Sequence, residues 1–428
     1  MSMFKVDLKS GDIFIQGNVG IGTTAPTSAF EVNGIIKGTV YKNIWMPRVS
    51  KLFSMSGGTA SYLDVGVTNT SAKGFQGGFS DGRYAYLIPR YNGAYHGILT
   101  RVDINNYTTA GVTYLDVSTG GQVSAKGFSG GFTDGRYAYL VPINNGIVAR
   151  VDLNSFNTAG ISYINVSAAG NANANGFMGG FTDGRYAYLV PYMNILLEWH
   201  GIVTRIDLRN FTTSGVSYLD VSIGHAGAIG FQGGFTDGSY AYLVPNYTNS
   251  PINAGGIFTR IDLSNFTASG ISYVNVTTGN ALARYFAGGF TDGSYAYLVP
   301  SNNAAGYVCT RVDLNNFTTS GVSYVSTNIG NSLSAGFCGG FTDGQYAYLA
   351  PWNNGSGNYG ILTRIDLSNF TTSGVSYLDV STVGNTGAKG FFGAFSDGRY
   401  AYLVPYYNGV YHGILTRVLI ADVFPQGY

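Results

Sequence analysis

Residues 130–142 read GGFTDGRYAYLVP, and close copies of this stretch recur along most of the 428-residue chain. Their aspartates are Asp81, Asp134, Asp183, Asp237, Asp292, Asp343 and Asp397, spaced 49 to 55 residues apart. A period of that length belongs to repeat architectures, in which one supersecondary unit cannot bury its own apolar face and must stack on its neighbours. The fold is therefore read from the repeat.

Each repeat divides into four strand segments, named A to D. In the second copy these are AKGFSGGF (125–132), RYAYLVP (136–142), GIVARVDL (146–153) and GISYINVS (160–167). Thr133-Asp134-Gly135 reads as the A–B hairpin turn: an Asp side chain hydrogen-bonds its own backbone and Gly supplies positive φ. This assigns the repeated Asp to structure rather than to a metal. Alternation along strand B puts Tyr137, Tyr139 and Val141 on one face and Ala138, Leu140 and Pro142 on the other. Both faces are fit for burial between neighbouring sheets.

The tally of strands at the two ends supports a closed ring. The last copy supplies A, B and C over 390–419 and no YLDV strand follows, whereas an extra Tyr62-Leu63-Asp64-Val65 precedes the first strand A. The N-terminal strand D is expected to complete the last blade, which removes an open sheet edge. The repeats resemble seven-bladed β-propellers generally and carry no WD or kelch signature. The expected fold is all-β: a seven-bladed β-propeller of four-stranded antiparallel blades over 46–428, closed by an N-terminal strand and preceded by a short β-rich segment.

That segment, 1–45, lies outside the repeat. Within it GNVGIGTTAPTSAFEVNG (17–34) combines Asn18-Val19-Gly20-Ile21-Gly22-Thr23 with Pro26 and Glu31-Val32-Asn33-Gly34. The combination resembles a motif common in phage tail fibres and related viral fibre proteins. The resemblance implies attachment to other virion or fibre proteins, and oligomerisation as a trimer, through 1–45. The opening MSMFKVDLKSGDIF has no apolar h-region and no run reaches the length of a membrane span, so neither Sec export nor membrane insertion is expected. The expected location is a virion surface or the extracellular space.

Apolar residues make up 45% of the chain and charged residues 11%, and 63 Gly, 34 Tyr and 26 Phe point to short strands joined by tight turns. A formal charge of +1 removes the electrostatic case for a nucleic-acid partner. Cys309 and Cys338 replace Leu, Val, Gln or Met at the same positions of other repeats and read as free thiols. The sequons at Asn210, Asn265, Asn316 and Asn369 fall at one turn of the repeat, which explains them without glycosylation.

In a four-stranded meander the A–B and C–D turns share one face of the disc, and the B–C loops and D-to-A connections share the other. The first face carries nearly constant text. On the second the copies diverge, from INNG (143–146) to YMNILLEWHG (192–201) and NYTNSPINAGG (246–256). Recognition is expected there, although relaxed constraint at loop tips explains the divergence as simply. The loops hold Tyr95, His96, Tyr192, Trp199, His200, Tyr247, Trp352, Tyr359, Tyr411 and His412, side chains that stack on sugar rings and hydrogen-bond hydroxyls without net charge. With Glu198 the one acidic residue in these loops, no metal is expected, and no cofactor-binding motif is present. Lys73, Lys126 and Lys389, with Arg284 at the equivalent place, read either as a partial basic collar at the channel mouth or as ordinary solvated side chains. Arg-x-Asp in strand C, as in Arg150/Asp152 and Arg205/Asp207, reads as a repeated ion pair.

The favoured reading is a non-enzymatic module that binds host-surface glycans or glycoproteins through the variable loops. Two rivals remain: a structural virion component packing on its own kind or on other virion proteins, and a polysaccharide-active enzyme using two aspartates near the axis.

Overall fold

The computed structural model describes residues 60–247, 255–301 and 307–420, together with the backbone of four short strands nearer the N-terminus. The chain divides into two compact units, Met1–Lys51 and Leu52–Tyr428. In the first, Met3–Val6 pairs antiparallel with Ile13–Gln16, and Val19–Ile21 pairs parallel with Phe30–Val32. The last pairing joins the two halves of the fibre-like motif. The attachment and trimerisation expected of 1–45 rest on residues that lie mostly outside the described ones.

The second unit is a seven-bladed propeller of four-stranded antiparallel sheets. In blade two, strands A to D are Phe128–Thr133, Tyr137–Pro142, Ile147–Asp152 and Ile161–Asn165. Blade seven takes its fourth strand, Ala60–Asp64, from the N-terminal end of the unit, with Leu63 opposite Leu415 and Ser61 opposite Arg417. The ring closes as the count of strands demanded.

Blades stack through both faces of strand B. Tyr139 and Val141 pack with Ala187 and Leu189 of blade three, whereas Ala138 and Leu140 pack with Tyr86 and Ile88 of blade one. Large side chains on one blade thus meet small ones on the next, and each buried Leu or Val contributes about 1.5–3 kcal/mol. A hydrogen bond repeats at every junction: the strand D tyrosine donates its hydroxyl to a backbone carbonyl of the preceding blade, as Tyr163 does to Val117 at 2.5 Å. Tyr62 does the same to Val380 across the closure, at 2.7 Å.

The A–B turn is held by its aspartate. Oδ1 of Asp134 accepts from the backbone N–H of Arg136 and Tyr137 at 2.9 and 2.8 Å. All seven copies also receive a tyrosine hydroxyl from strand B, at 2.7–2.8 Å. At the C–D turn the sequon asparagines serve the turn itself, Asn210 accepting from the Thr212 hydroxyl and donating to Ser214.

The expected Arg-x-Asp ion pair does not describe the strand C arginines. Arg150 lies between two rings, with its guanidinium carbon 4.6 Å from the centre of Tyr137 in its own blade and 4.3 Å from Phe211 in the next. Its Nε donates to Ser162 on strand D at 2.9 Å. The ion pairs of these aspartates go instead to the exposed A–B turn, Arg136 to Asp152 at 3.3 Å and Arg185 to Asp207 at 3.7 Å. Two residues on one strand face point alike, so each reaches across to the neighbouring element sooner than to the other.

Candidate functional site

The axis is built by the text GF-x-GG. In every blade strand A slips register between its first Phe and the residue three further on, which is Gly in six blades and Ala394 in the seventh, as between Phe75 and Gly78 opposite Pro89 and Leu87, which marks a β-bulge. A bulge re-aims a side chain, and here it turns the x residue toward the axis. Those residues are Gln76, Ser129, Met178, Gln232, Ala287, Cys338 and Phe392, and together they wall an axial chamber of about 240 Å3. Glycine follows because adjacent blades nearly touch: a Cβ on Gly233, where φ is +80°, would stand 2.8 Å from Cα of Gly288.

Two contacts cross the axis within this tier. Gln76 of blade one donates to the Met178 sulfur of blade three at 3.1 Å, and Gln232 of blade four donates to the Cys338 sulfur at 3.6 Å. Burial pushes the Cys338 thiol up to about 12, so it is a neutral wall. Gln76 Oε1 is buried with no donor among the described residues.

The residue after the strand B proline stands above this tier on the loop face, its backbone N–H directed to the start of strand A, as Tyr192 to Gly176 at 3.0 Å. Blades one, six and seven place Arg90, Trp352 and Tyr406 here. Trp352 meets Phe392 and Tyr406 edgewise or tilted, with ring centres 5.2 and 5.3 Å away. The Arg90 guanidinium carbon lies 5.0 Å from the centre of Phe392 and 5.7 Å from that of Tyr406. Its Nη1 is buried without an acceptor, and among the described residues it has no carboxylate partner.

From Tyr406 the aromatic run continues outward through Tyr411 to Tyr91 and Tyr95, each step 5.2–5.5 Å between centres. A second cluster spans blades three to five. Trp199 stands against Tyr192 at 4.7 Å and Tyr247 at 5.5 Å, and Tyr247 stacks on Tyr285. Three exposed aliphatic residues, Ile195, Leu196 and Leu197, flank Trp199.

The other expected residues take different roles. His96, His200 and His412 are buried. Each Nε2 bonds a carbonyl, of Lys73, Asn175 and Lys389, and each Nδ1 meets the backbone N–H two residues on. Burial lowers the His96 and His412 pKa to about 4, so both rings are neutral with Nε2 as donor. With both nitrogens engaged, they anchor the loop and leave contact with any ligand to the neighbouring Tyr95, Trp199 and Tyr411. Tyr359 stands at the same place in blade six, buried, with its hydroxyl toward Gly336 O. Among the described residues no group of His, Cys, Asp and Glu could hold a metal ion.

Lys126 is exposed, Lys73 and Lys389 are half-buried, and none of the three lines the axial chamber. Arg90, which the reading of the sequence passed over, stacks on the wall residue Phe392 but does not line the chamber either. The signal was present: Arg90 directly follows the repeated proline, and x varies within a GF-x-GG that is otherwise broken only by Tyr285 in blade five and Ala394 in blade seven. Residues 248–254 and 302–306, in the diverging loops of blades four and five, lie outside the described ones.

The fold recurs in chains of low sequence identity. Hydrazine synthase of Kuenenia stuttgartiensis superposes with a TM-score of 0.55 at 16% identity, covering 82% of this chain and 96% of that one. A catalytically inactive virginiamycin B lyase from Staphylococcus aureus, with quinupristin, gives 0.55 at 13% identity, covering 85% and 99%. The extracellular domain of a one-component system from B. thetaiotaomicron gives 0.55 at 11% identity, covering 86% of this chain and 42% of that one. The likeness is one of fold. No protein-family model and no curated protein matches the sequence.

Proposed function

We propose that this chain is a non-enzymatic recognition module, carried on a viral or phage particle by its N-terminal segment, whose propeller binds host-surface glycans through the loop face. One observation carries the reading: the loop face gathers its aromatic side chains into two clusters with half-exposed rings, around Trp199 and around Trp352. Flat apolar rings beside amide and hydroxyl groups suit the faces of sugars. A binding rather than a catalytic role is supported by the blade aspartates, which are spent on turns and tyrosine hydroxyls, and by the neutral, doubly bonded histidines. The viral setting rests on the resemblance of 17–34 to tail fibres, with homotrimerisation through 1–45 as part of the same proposal.

A second reading, a virion component that packs against other protein, is favoured by Ile195, Leu196 and Leu197, which are 68–73% exposed beside Trp199. Exposed adjacent aliphatic residues suit a protein surface better than a sugar. A broad glycan array probed with the full chain, alongside its mass in solution, separates the two. Glycan binding that Trp199→Ala and Trp352→Ala abolish supports the first reading. Absence of any glycan signal, with association that Leu196→Asp breaks, supports the second.

A further inference from the structure

We propose that the loop face is also a docking surface for a lipid bilayer with uncharged or zwitterionic headgroups, entered by a ring of aliphatic side chains while the backbone stays outside. The inference goes beyond the glycan reading and does not depend on it. Single exposed apolar residues are normal on any protein surface, so their distribution carries the argument. Twelve large apolar side chains are exposed among the described residues, and all twelve stand on D-to-A connections or B–C loops, the elements of the loop face. The opposite face has none of them.

They also form a ring. Six belong to the D-to-A connections: Val67, Val123, Ile223, Leu282, Ile329 and Leu333, 40–76% exposed, serve five of the seven steps from blade to blade. The B–C loops cover the other two. Between blades two and three the connection offers only alanines, and there Ile195 of blade three is tied to it, its N–H donating to Asn175 Oδ1 at 2.8 Å, with Leu196 and Leu197 following. Between blades six and seven Val383 is half-buried, and Asn408 donates to Gly387 O at 2.7 Å, holding the loop that carries Val410. Val67, Ile223 and Ile329 each adjoin a glycine, Gly66, Gly224 and Gly330, which has no side chain to shield them.

Apolar points spread round a whole face meet a partner together only where that partner is as broad as the face. A protein interface is built on a continuous apolar core, whereas Asn, Ser, Thr and Gly separate most of these side chains, and each can enter hydrocarbon alone with no matching pocket. Exposed Tyr95 and Tyr247 add rings with hydroxyl tips, which settle at the headgroup level. Charge decides the kind of headgroup. The connections carry four cations, Lys73, Lys126, Arg284 and Lys389, against four carboxylates at the ends of strand D, Asp64, Asp116, Asp220 and Asp379. The B–C loops add one of each sign, Arg90 and Glu198. That balance gives no net pull toward an anionic membrane.

The test is co-sedimentation of the full chain with phosphatidylcholine vesicles, which contain no sugar, so its outcome stands apart from that of the glycan array. Binding is expected, neither raised by added phosphatidylglycerol nor lost in 1 M NaCl, where charges are screened beyond about 3 Å. Ile223→Asp with Ile329→Asp should weaken it at least about tenfold, and Ile223→Leu with Ile329→Leu should keep it. Thr213→Asp with Thr319→Asp, the same charges on the opposite face of the same blades, should leave it whole, all at an unchanged melting temperature. No binding to phosphatidylcholine overturns the proposal, as does binding that needs phosphatidylglycerol and is lost in salt. Binding that survives the paired Ile223→Asp and Ile329→Asp changes overturns the assignment to the ring. Association of the chain with itself, broken by that pair and with no vesicle binding, overturns the lipid occupant in favour of a second copy.

Discussion

Asp134 receives the hydroxyl of Tyr139 on one carboxylate oxygen at 2.8 Å while its other oxygen holds the A–B turn. The bond ties each turn to the buried face of strand B, and Asp134 itself stays exposed. Burial first, then the bond to Asp134 and its charge, drive the Tyr139 phenol far above its ordinary value, and the other six copies follow. A raised phenol pKa gives stability that is whole below the unfolded value of 10 and is lost as pH rises beyond it. Absorbance of phenolate on alkaline titration should therefore show these seven rings ionising together with unfolding. Tyr139→Phe should cost about 1 kcal/mol in urea unfolding, because the exposed Asp134 is rehydrated.

Most of the architecture was legible in the sequence because the signals were repeated. Asp-Gly turns, strand alternation and the misplaced Tyr62-Leu63-Asp64-Val65 each have one physical reading, and seven copies average out accidents. The site was harder. Histidines beside loop aromatics look like ligand contacts until burial and two backbone bonds engage them, and an Arg two residues from an Asp looks like an ion pair until neighbouring blades supply rings. Arg90 was missed because its meaning depends on a bulge and on contacts from blade seven, which no local pattern announces.

Neutral histidines predict an acid limit. His96 and His412 fall from 6.5 to about 4 on folding, chiefly through burial, so the unfolded chain binds more protons between those values. Stability should be full above pH 6.5 and decline below it, each ring adding a slope of about 1.4 kcal/mol per pH unit. His200 shifts in the same direction. Blade six shows that a tyrosine fits this place. The double variant His96→Tyr with His412→Tyr should show a shallower fall in urea midpoint on acidification, and an unchanged slope would refute the anchoring role.

Ring closure makes the chain's early strand a late contributor. Leu63 is buried opposite Leu415, so Leu63→Ala should cost about 2–5 kcal/mol, comparable with Leu115→Ala at the same place in blade one. Removal of the first compact unit alone, Met1–Lys51, should leave the melting temperature of the propeller nearly unchanged. Removal through residue 66 should lower it steeply and promote association through the bared edge of Ile414–Leu419. Equal melting temperatures for the two truncations would mean that the closure contributes nothing.

The strand C arginines allow a direct contest between an ion pair and a stack. Arg205 lies 4.5 Å from the Tyr186 ring centre and 4.1 Å from that of Phe266, with Nε donating to Ser217 at 3.1 Å. Asp207 pairs instead with the exposed Arg185 at 3.7 Å, and its Oδ1 accepts from the Arg209 N–H. Asp207→Asn keeps that acceptor and removes the charge, so it should change stability by less than about 1 kcal/mol. Arg205→Lys keeps the charge but lacks the planar fork that stacks and bonds at once, and should cost about 1–2 kcal/mol. Salt decides the matter: at 1 M NaCl the screening length falls to about 3 Å, yet the penalty of Arg205→Lys should persist, because contact between guanidinium and ring leaves no room for ions. Were the penalty to vanish in salt while Asp207→Asn proved as damaging as Arg205→Lys, the pair within the strand would be the true interaction and the stack incidental.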